Sequence, residues 1–371
     1  LPMIMSVTLA QGAARMAREK VIVKHLSAIQ NLGRVDVLCC DKTGTLTAGT
    51  MSVDASVDLS GTPADRPLAF AHLNSRFETG IASPLDAAIL AVAGDDTGYK
   101  KTDELPFDFN RRRLSVVLEH AGTWLLVTKG APEGVLDVCS SYEAAGEVLP
   151  LDDVARARAL ATFRAASERG FRVLAVAWKT VTAAAGHAAT VESELTLAGF
   201  VTFADHILDG AARSIARLCE DGIVIKILTG DNELVTRYLC AQVGIPVDTM
   251  MLGSELEQID DAALLRRVET TSVFARVSPA QKHRIVIALK AAGHVVGFLG
   301  DGINDAPSLH AADVGISVAG AVDVAREASD IILLQRKLEV LHAGILAGRR
   351  SFANVIKYIL MGTSSNFGNM F

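Results

Sequence analysis

Several polar residues in this sequence could act on phosphate, and the first of them follows a short apolar run. Asp41 opens the motif Asp-Lys-Thr-Gly-Thr directly after the run from Val35 to Cys40. A short apolar run that ends in turn residues predicts a buried parallel strand. Asp41 would then lie at the carboxyl end of a strand, where open α/β sheets bind their ligands. A carboxylate in that place can attack a phosphoryl group and form an aspartyl-phosphate.

The residues after Asp41 suit the same chemistry. Lys42 can offset negative charge, Thr43 offers a hydroxyl, and Gly44 lets the backbone approach phosphate closely. The alternative is a strand followed by a polar turn without chemistry, which we consider the weaker interpretation of this motif.

A second pair of carboxylates follows another apolar run. Asp301 and Asp305 stand four residues apart in a glycine-rich turn, after the run from His294 to Leu299. Hard oxygen ligands at the end of a strand suit Mg²⁺ that bridges protein and phosphate. The sequence therefore predicts a magnesium site in this turn.

Thr229 follows a third apolar run and precedes a predicted helix from Glu233 to Val243. A hydroxyl and backbone N–H groups at the start of a helix suit phosphate. The triplet Thr-Gly-Asp is common, so this signal is weak when taken alone.

Lys282 lies on the first turn of a predicted helix that Pro279 opens, in agreement with the preference of proline for that position. A lysine near a phosphoryl group can neutralise the charge that builds up in the transition state. An isolated helix lysine is more commonly solvated, so this assignment also depends on its neighbours.

The composition allows at least two domains and excludes some classes of protein. The chain has 371 residues, half of them apolar, and a net charge of -6, so no basic face indicates a nucleic-acid partner. The five cysteines have no metal-ligand spacing and indicate reduced, buried thiols. No window reaches the ~18–20 apolar residues of a spanning helix. The chain begins at Leu1, from which we expect a fragment of a longer protein.

The order of the apolar runs predicts the architecture. At least six of them alternate with predicted helices, which is typical of a doubly wound α/β sheet. Between the run that precedes Asp41 and those that follow Asp205, the sequence changes to strand-like runs, short helices and polar turns. This change predicts a domain inserted into the sheet domain.

The inserted stretch contains three features that suit a nucleotide. Phe107 precedes three successive arginines, which together offer a stacking face and phosphate-directed charge. Lys129 stands before Gly130 at a predicted strand end, and Arg172 lies on a buried strand. A β-hairpin edge with solvated arginines remains an alternative for the first feature.

Taken together, these motifs resemble those of the P-type ATPases, ion pumps of the haloacid dehalogenase superfamily. The resemblance rests on Asp-Lys-Thr-Gly-Thr-Leu-Thr at Asp41, Thr-Gly-Asp at Thr229, Ala-Arg-Val-Ser-Pro-Ala-Gln-Lys ending at Lys282, and Gly-Asp-Gly-Ile-Asn-Asp-Ala-Pro from Gly300. It covers nearly the whole chain. It implies an α/β fold, with a doubly wound parallel-sheet phosphorylation domain of the haloacid dehalogenase type and an inserted α+β nucleotide-binding domain.

The resemblance also implies roles for individual residues, with ATP and Mg²⁺ as cofactors. The implied catalytic residues are Asp41, Lys42, Thr229 and Lys282. The implied metal ligands are Asp41, the carbonyl of Thr43, Asp301 and Asp305. The implied nucleotide-binding residues are Phe107, Arg112, Lys129, Gly130, Arg172, Thr43, Gly230, Asp231, Asp205, Arg276 and Asn304.

We predict the following division of the chain from the same resemblance. Residues 1–24 would be the end of membrane helix 4 and its stalk, and residues 338–371 a stalk and the start of membrane helix 5. The phosphorylation domain would comprise 25–50 and 204–337, and the nucleotide-binding domain 51–203. An amphipathic helix for the first segment, and a surface helix with a tail for the last, remain alternatives. The full pump would lie in the bacterial inner membrane, with this portion mainly cytoplasmic.

Four stretches resemble the bacterial magnesium-translocating subgroup, so the expected transported ion is Mg²⁺. They are Leu-Pro-Met-Ile at the start, residues 74–80, Phe-Asp-Phe with its arginines from Phe107, and residues 364–369. The chain departs from the family where His206, Ile207 and Leu208 follow Asp205, since the family has two prolines there. It also lacks a Thr-Gly-Glu actuator motif, so we expect it to form the phosphoenzyme but to hydrolyse it slowly.

Three alternatives remain open. The chain could belong to another P-type cation pump, for Ca²⁺ or H⁺. A soluble phosphatase of the same superfamily would carry an acidic residue two positions after the nucleophile, where this chain has Thr43. A nucleotide-binding module without catalysis would be favoured if ATP bound but Asp41 were never modified.

Overall fold

The computed structural model describes residues 2–42, 46–80, 83–92, 94–108, 111–181 and 192–368. The chain divides into two compact units. The first comprises Leu1–Ala48 and Ile207–Phe371, and the second, which is inserted into it, comprises Gly49–His206.

The strands and helices are numbered in chain order over the described residues. The strands are β1 (Val21–Val23), β2 (Val37–Cys40), β3 (Thr47–Val57), β4 (Lys100–Asp108), β5 (Arg113–His120), β6 (Thr123–Gly130), β7 (Cys139–Ala144), β8 (Glu147–Pro150), β9 (Arg172–Val181), β10 (Leu195–Ile207), β11 (Val224–Leu228), β12 (Met250–Leu252), β13 (Val273–Ala275), β14 (Val296–Leu299), β15 (Val314–Val318) and β16 (Ile331–Leu333). The helices are α1 (Pro2–Arg18), α2 (Ser27–Leu32), α3 (Arg66–Phe77), α4 (Pro84–Leu90), α5 (Pro132–Leu136), α6 (Asp153–Glu168), α7 (Ala211–Glu220), α8 (Glu233–Val243), α9 (Gly253–Glu257), α10 (Asp261–Thr270), α11 (Pro279–Ala291), α12 (Ala306–Ala311), α13 (Asp323–Ala328) and α14 (Leu338–Gly368), with a 3₁₀ turn at Ile303–Asp305.

The first unit is built on an eight-stranded sheet in the order β1-β16-β15-β14-β2-β11-β13-β12. Every neighbouring pair is parallel except β1 and β16. Strand β2 lies between β14 and β11, and all four of its residues are buried. This arrangement confirms the predicted α/β fold, because six of the parallel strands coincide with the apolar runs of the sequence.

Side-chain caps fix the helices that follow the site loops. Asn232 accepts a hydrogen bond from the backbone N–H of Val235 at the start of α8. Ser278 accepts one from Gln281 at the start of α11, and the Gln281 side chain accepts from the Ser278 N–H in return. Both caps satisfy N–H groups that would otherwise lack partners. They fix the start of α8, shortly after Thr229, and the start of α11, whose first turn contains Lys282.

The long helix α14 packs closely on the start of the first unit. A Cβ added to Gly33 would come within 2.7 Å of the backbone carbonyl of Gly348, and one added to Gly12 within 2.7 Å of the Ser351 Oγ. On the other side, His342 pairs with Asp221 after α7 at 2.5 Å. These contacts bind α14 to α1, to the end of α2 and to the end of α7. In the described part of the chain, no helix combines the length and apolarity that a membrane crossing needs.

The inserted unit has its own sheet and its own apolar core. Its strands run in the order β4-β5-β6-β9-β10-β7-β8, and β3 pairs with β10 outside that path. All pairs along that path are antiparallel except β10 and β7. One face buries Leu126, Phe200 and their neighbours, and the other buries Phe70 and Phe203. Because both faces of this sheet are covered, its polar groups can contact ligands at the strand ends and at the sheet edges.

Candidate active site

Asp41 lies at the carboxyl end of the central strand β2. Its backbone N–H donates to the Leu299 carbonyl at the end of β14, 3.0 Å away. Its Oδ1 accepts the backbone N–H of Lys42 at 2.8 Å. The carboxylate is therefore held between two strand ends, and its side chain remains 17% exposed. Burial raises the pKa of Asp41 to about 6, although the Lys282 ammonium acts in the opposite direction.

Lys282 brings a buried positive charge to this carboxylate. Its Nζ lies 3.1 Å from Asp41 Oδ2 and 2.8 Å from Asp305 Oδ1. Burial alone would lower the pKa of Lys282, but the two carboxylates outweigh it and raise the pKa. The lysine is therefore a permanent cation beside the Asp41 carboxylate.

Asp305 is almost fully buried and serves the neighbouring groups. Its Oδ2 accepts the backbone N–H of Gly302 at 3.2 Å, while Oδ1 accepts from Lys282. A Cβ on Gly300 would come within 2.7 Å of the Asp305 Cβ, so only glycine leaves room for this fold of the turn. These contacts favour a positioning role for Asp305. Its direct ligation of a metal stays a prediction.

Asp301 follows β14 and is paired with an arginine that the sequence analysis did not identify. The Arg336 guanidinium lies 3.0 Å from Asp301 Oδ2. Burial raises the pKa of Asp301, Arg336 opposes that change, and Asp305 adds to it. The Asp301 carbonyl accepts the N–H of Val322 at 3.2 Å, which anchors the turn to the loop after β15.

The carboxylates at the carboxyl ends of β2 and β14 could bind a divalent cation together with phosphate oxygens. Among the described residues, no group of three or more histidine, cysteine, aspartate or glutamate side chains could enclose a metal ion by itself. Asp41 and Asp301 nonetheless supply hard oxygen donors, and burial disfavours their negative charge. Mg²⁺ prefers such donors and commonly takes its remaining ligands from phosphate and water. The predicted metal ligand Thr43 lies outside the described residues.

Thr229 and Asp231 lie at the end of β11, next to β2. The Thr229 Oγ accepts the N–H of Asp231 at 3.1 Å. The Lys42 Nζ lies 2.6 Å from Asp231 Oδ2, and the lysine side chain is fully buried. Lys42 thus forms a buried ion pair with Asp231 between the ends of β2 and β11. Gly230 follows Thr229 directly, with the carbonyl of Val277 nearby.

Two further predicted residues lie in the same unit. Arg276 has a positive φ of 55°, and its Nε donates to Glu233 at 2.6 Å. Its backbone N–H donates to the Asp231 carbonyl at 2.9 Å, which connects it to the Thr229 turn. Asn304 lies exposed on the 3₁₀ turn between the two predicted metal-binding aspartates.

In the inserted unit, Lys129 forms the centre of a buried polar cluster. Its Nζ lies 3.0 Å from Glu78 Oε2 and donates to Ser75 Oγ at 2.7 Å, and it also pairs with Asp86. Burial raises the pKa of Glu78 to about 7 against the influence of Lys129. For Asp86, Lys129 outweighs burial and holds the pKa below its usual range. The pairing of Lys129 with Ser75, Glu78 and Asp86 was not predicted from the sequence, although Ser75 and Glu78 lie in the stretch 74–80 on which the resemblance to the magnesium-translocating subgroup partly rests.

The remaining predicted nucleotide residues of this unit lie on strands and strand ends. Phe107 stands near the end of β4, and 52% of it is exposed. Arg112 has a positive φ of 53° in the turn before β5, and Gly130 is packed against its carbonyl. Arg172 begins β9, with Nη1 3.7 Å from the Met51 sulfur. Asp205 lies near the end of β10.

A second cluster holds the arginines beside Arg112. Glu192 accepts from Arg111 at 2.7 Å and from Arg113 at 2.9 Å, and also from Ser115 at 2.6 Å. Glu192 therefore fixes the two arginines that flank Arg112. Its part in the cluster was not identified from the sequence, because it arrives from a distant loop.

The site of the first unit brings together a strand-end aspartate, a buried lysine and further carboxylates, the arrangement that we predict to act on phosphate. A family model described as P-type ATPase, cytoplasmic domain N, matches residues 28–208. The chain belongs to the P-type ATPases.

Among its relatives, the "Magnesium-transporting ATPase, P-type 1" of Escherichia coli (strain K12) is 47% identical over 379 residues, which cover 100% of this chain and 42% of that protein. The "Calcium-transporting ATPase 1" of Bacillus cereus is 33% identical over 399 residues, 100% of this chain and 45% of that protein. The chain thus spans less than half the length of these relatives.

Proposed function

We propose that this chain is the catalytic core of a cation-transporting P-type ATPase, in which ATP phosphorylates Asp41. The observation that supports this most strongly is the buried Lys282 ammonium, 3.1 Å from the Asp41 carboxylate and 2.8 Å from Asp305. Burying an ammonium group costs free energy unless negative charge lies beside it. Here Asp41 and Asp305 supply that charge, and the transferred phosphoryl group would add to it.

In the proposed reaction, an Asp41 oxygen bonds to the γ-phosphorus of ATP. The bond from that phosphorus to the bridging oxygen breaks, and ADP leaves with the electron pair. Lys282 balances the charge on the transferred group, and Thr229 offers its hydroxyl to a phosphoryl oxygen. Bound at Asp41 and Asp301, Mg²⁺ would supply further positive charge to the phosphoryl oxygens.

For nucleotide binding we propose the part of the inserted unit around the buried Lys129. Its ammonium is held by Ser75, Glu78 and Asp86, so the cluster would keep this part of the site preorganised for a ligand at little entropic cost. The exposed ring of Phe107 offers a stacking face. Arg112 and Arg172 would supply positive charge to the phosphates.

For the transported cation we propose Mg²⁺, with the complete pump in the bacterial inner membrane and this portion on its cytoplasmic side. The support is the 47% identity to the E. coli protein named as magnesium-transporting, against 33% for the calcium-transporting one.

The phosphorylation step is tested with γ-labelled ATP and Mg²⁺ on this chain, on Asp41→Asn and on Asp36→Asn, followed by acid quench and hydroxylamine. Asp36 precedes the same strand β2 at its opposite end, so it is a matched control. We expect acid-stable, hydroxylamine-labile label on the parent and on Asp36→Asn only. If ATP binds but the parent takes no label, the nucleotide-binding module becomes the better interpretation.

The cation is tested with two chimaeras, in which this chain replaces the matching part of either the E. coli or the B. cereus relative. We expect Asp41-dependent magnesium uptake from the first chimaera and no calcium transport from the second. If the two chimaeras transported magnesium and calcium equally well, the proposal that this chain belongs to a magnesium pump would be contradicted.

A further inference from the structure

Arg336 makes two contacts within the first unit that connect a predicted metal ligand to the start of strand β3. One terminal nitrogen lies 3.0 Å from Asp301 Oδ2. The other donates to the Ala48 carbonyl at 3.0 Å. Ala48 is the last residue of the first unit before the chain enters the second. The Arg336 guanidinium thus contacts both the Asp301 carboxylate and the Ala48 carbonyl.

The sheet topology explains why Arg336 reaches this place. It follows β16, whose carboxyl end lies on the same edge of the sheet as that of β14, two strands away. A Cβ added to Gly320, in the loop after the intervening strand β15, would lie 3.8 Å from the Arg336 guanidinium. The side chain therefore crosses over the end of β15 to meet Asp301.

Asp301 and Asp305 differ in their partners and in their exposure to solvent. Asp305 is satisfied by Lys282 and by the Gly302 N–H, and it is 1% exposed. Asp301 is 19% exposed, and its pairing partner Arg336 is 29% exposed, so solvent and ions can reach this pair. A divalent cation that binds Asp301 must compete with the guanidinium for the same carboxylate.

We infer that Arg336 is a positioning residue that acts as an internal counter-ion of Asp301, which Mg²⁺ must displace. This inference rests on the proposed function, since it takes Asp301 as a magnesium ligand. By linkage, the factor by which Arg336 weakens Mg²⁺ binding equals the factor by which Mg²⁺ weakens the ion pair. Because the guanidinium is a rigid fork, its displacement also releases the Ala48 carbonyl.

Three variants test this competition without any turnover. Mg²⁺ is titrated in the absence of nucleotide, and the midpoint is read from the shift in thermal unfolding of the first unit. Arg336→Gln should lower the Mg²⁺ midpoint by roughly fivefold or more. Arg336→Lys keeps the charge and should stay closer to the parent. Asp301→Asn should raise the midpoint.

Arg349 provides the matched control. Its guanidinium also donates to a carbonyl, that of Asp221 at 2.9 Å, and lies 4.0 Å from the Asp221 carboxylate. Its side chain is 33% exposed, similar to that of Arg336. Arg349→Gln should leave the Mg²⁺ midpoint unchanged. An equal shift in both variants would indicate a general effect of net charge and overturn the inference.

The release of Ala48 is tested by hydrogen exchange. Mg²⁺ should speed exchange of the amides from Leu46 to Gly49 in the parent, and these amides should already exchange fast in Arg336→Gln. If Asp41 is labelled normally but Arg336→Gln changes neither the midpoint nor the exchange, the inference fails and the proposed function stands. If Asp301→Asn leaves the midpoint unchanged, the magnesium ligand itself is wrong.

Discussion

The Lys282 ammonium lies 3.1 Å from the Asp41 carboxylate, so the proposed nucleophile, which follows strand β2, forms an ion pair with a lysine of helix α11. Because Lys282 also holds Asp305, removing it leaves two buried carboxylates without their counter-ion. Lys282→Ala should abolish the acid-stable label on Asp41. It should also lower the free energy of unfolding by about 3–5 kcal/mol in urea titrations.

Lys290, on the same helix, provides the control for Lys282. It pairs with Asp313 at 3.3 Å, where both side chains are about a third exposed. Lys290→Ala should therefore change the free energy of unfolding by less than about 1 kcal/mol and leave the labelling intact. Normal labelling of Lys282→Ala would contradict the proposed role of the Lys282 charge.

Lys129 should be necessary for both the stability and the nucleotide affinity of the inserted unit. Lys129→Met leaves Glu78 and Asp86 close together without their shared cation, which should cost about 3–5 kcal/mol. The measurements are urea unfolding followed by tryptophan fluorescence, since Trp124 and Trp178 both lie in this unit, and titration with ATP. Lys101→Met, which removes the ion-pair partner of Glu104 but leaves its hydrogen bond from Thr79, should leave ATP affinity near that of the parent.

The stability of the first unit should depend on His294 and fall as the pH rises. The hydrogen bond to Asp36 raises the pKa of His294 above its ordinary value of 6.5, burial opposes that change, and Glu269 adds to it. A raised pKa means that the folded state binds the proton more tightly than the unfolded state. The stabilisation is therefore complete below the ordinary pKa and is lost as the pH rises through the folded value.

Urea titrations between about pH 5.5 and pH 8.5 test this dependence. The difference in unfolding free energy between the parent and His294→Gln should shrink as the pH rises. Asp36→Asn should flatten the profile of the parent, because it removes the main cause of the shift while its amide oxygen can still accept the Val295 N–H. A difference that grows with pH would refute the assignment.

Gly33 should be intolerant of a side chain although its backbone conformation suits any residue. Its φ is -68°, so alanine adds no backbone strain, and the added Cβ would meet the Gly348 backbone at 2.7 Å. Gly33→Ala should cost about 1–3 kcal/mol in urea unfolding. Gly344→Ala, whose Cβ would meet a Val21 side chain at 3.2 Å, should cost less because a side chain can give way.

The sheet of the first unit could be predicted because its strands are buried on both faces. Apolar runs such as His294 to Leu299 mark them directly, and the structure shortens that run to β14, Val296–Leu299. The first residues of that run, His294 and Val295, precede the strand without regular secondary structure. In the segment 338–371, for which we predict a stalk, one helix runs from Leu338 to Gly368, because the serines and asparagines near its end do not break a helix as proline would.

The partners of the site residues were harder to predict. Arg336 is one basic residue in a stretch without a motif, and only the order of the strands brings it to Asp301. Glu78 directly follows α3 and Asp86 lies in α4, and the two meet at Lys129 through tertiary packing. Periodicity identifies which face of an element is buried, but it does not identify which polar groups share a buried pocket.

The pairing of β2 with β11 and β14 has a consequence for the order of folding during synthesis. Strand β2 precedes the inserted unit, whereas both of its neighbours follow it in the chain. The inserted unit is a single continuous segment, so it should fold on the ribosome while β2 still waits for its partners. Nascent chains arrested soon after His206 leaves the ribosome should contain a protease-resistant inserted unit and a still cleavable Asp41 loop.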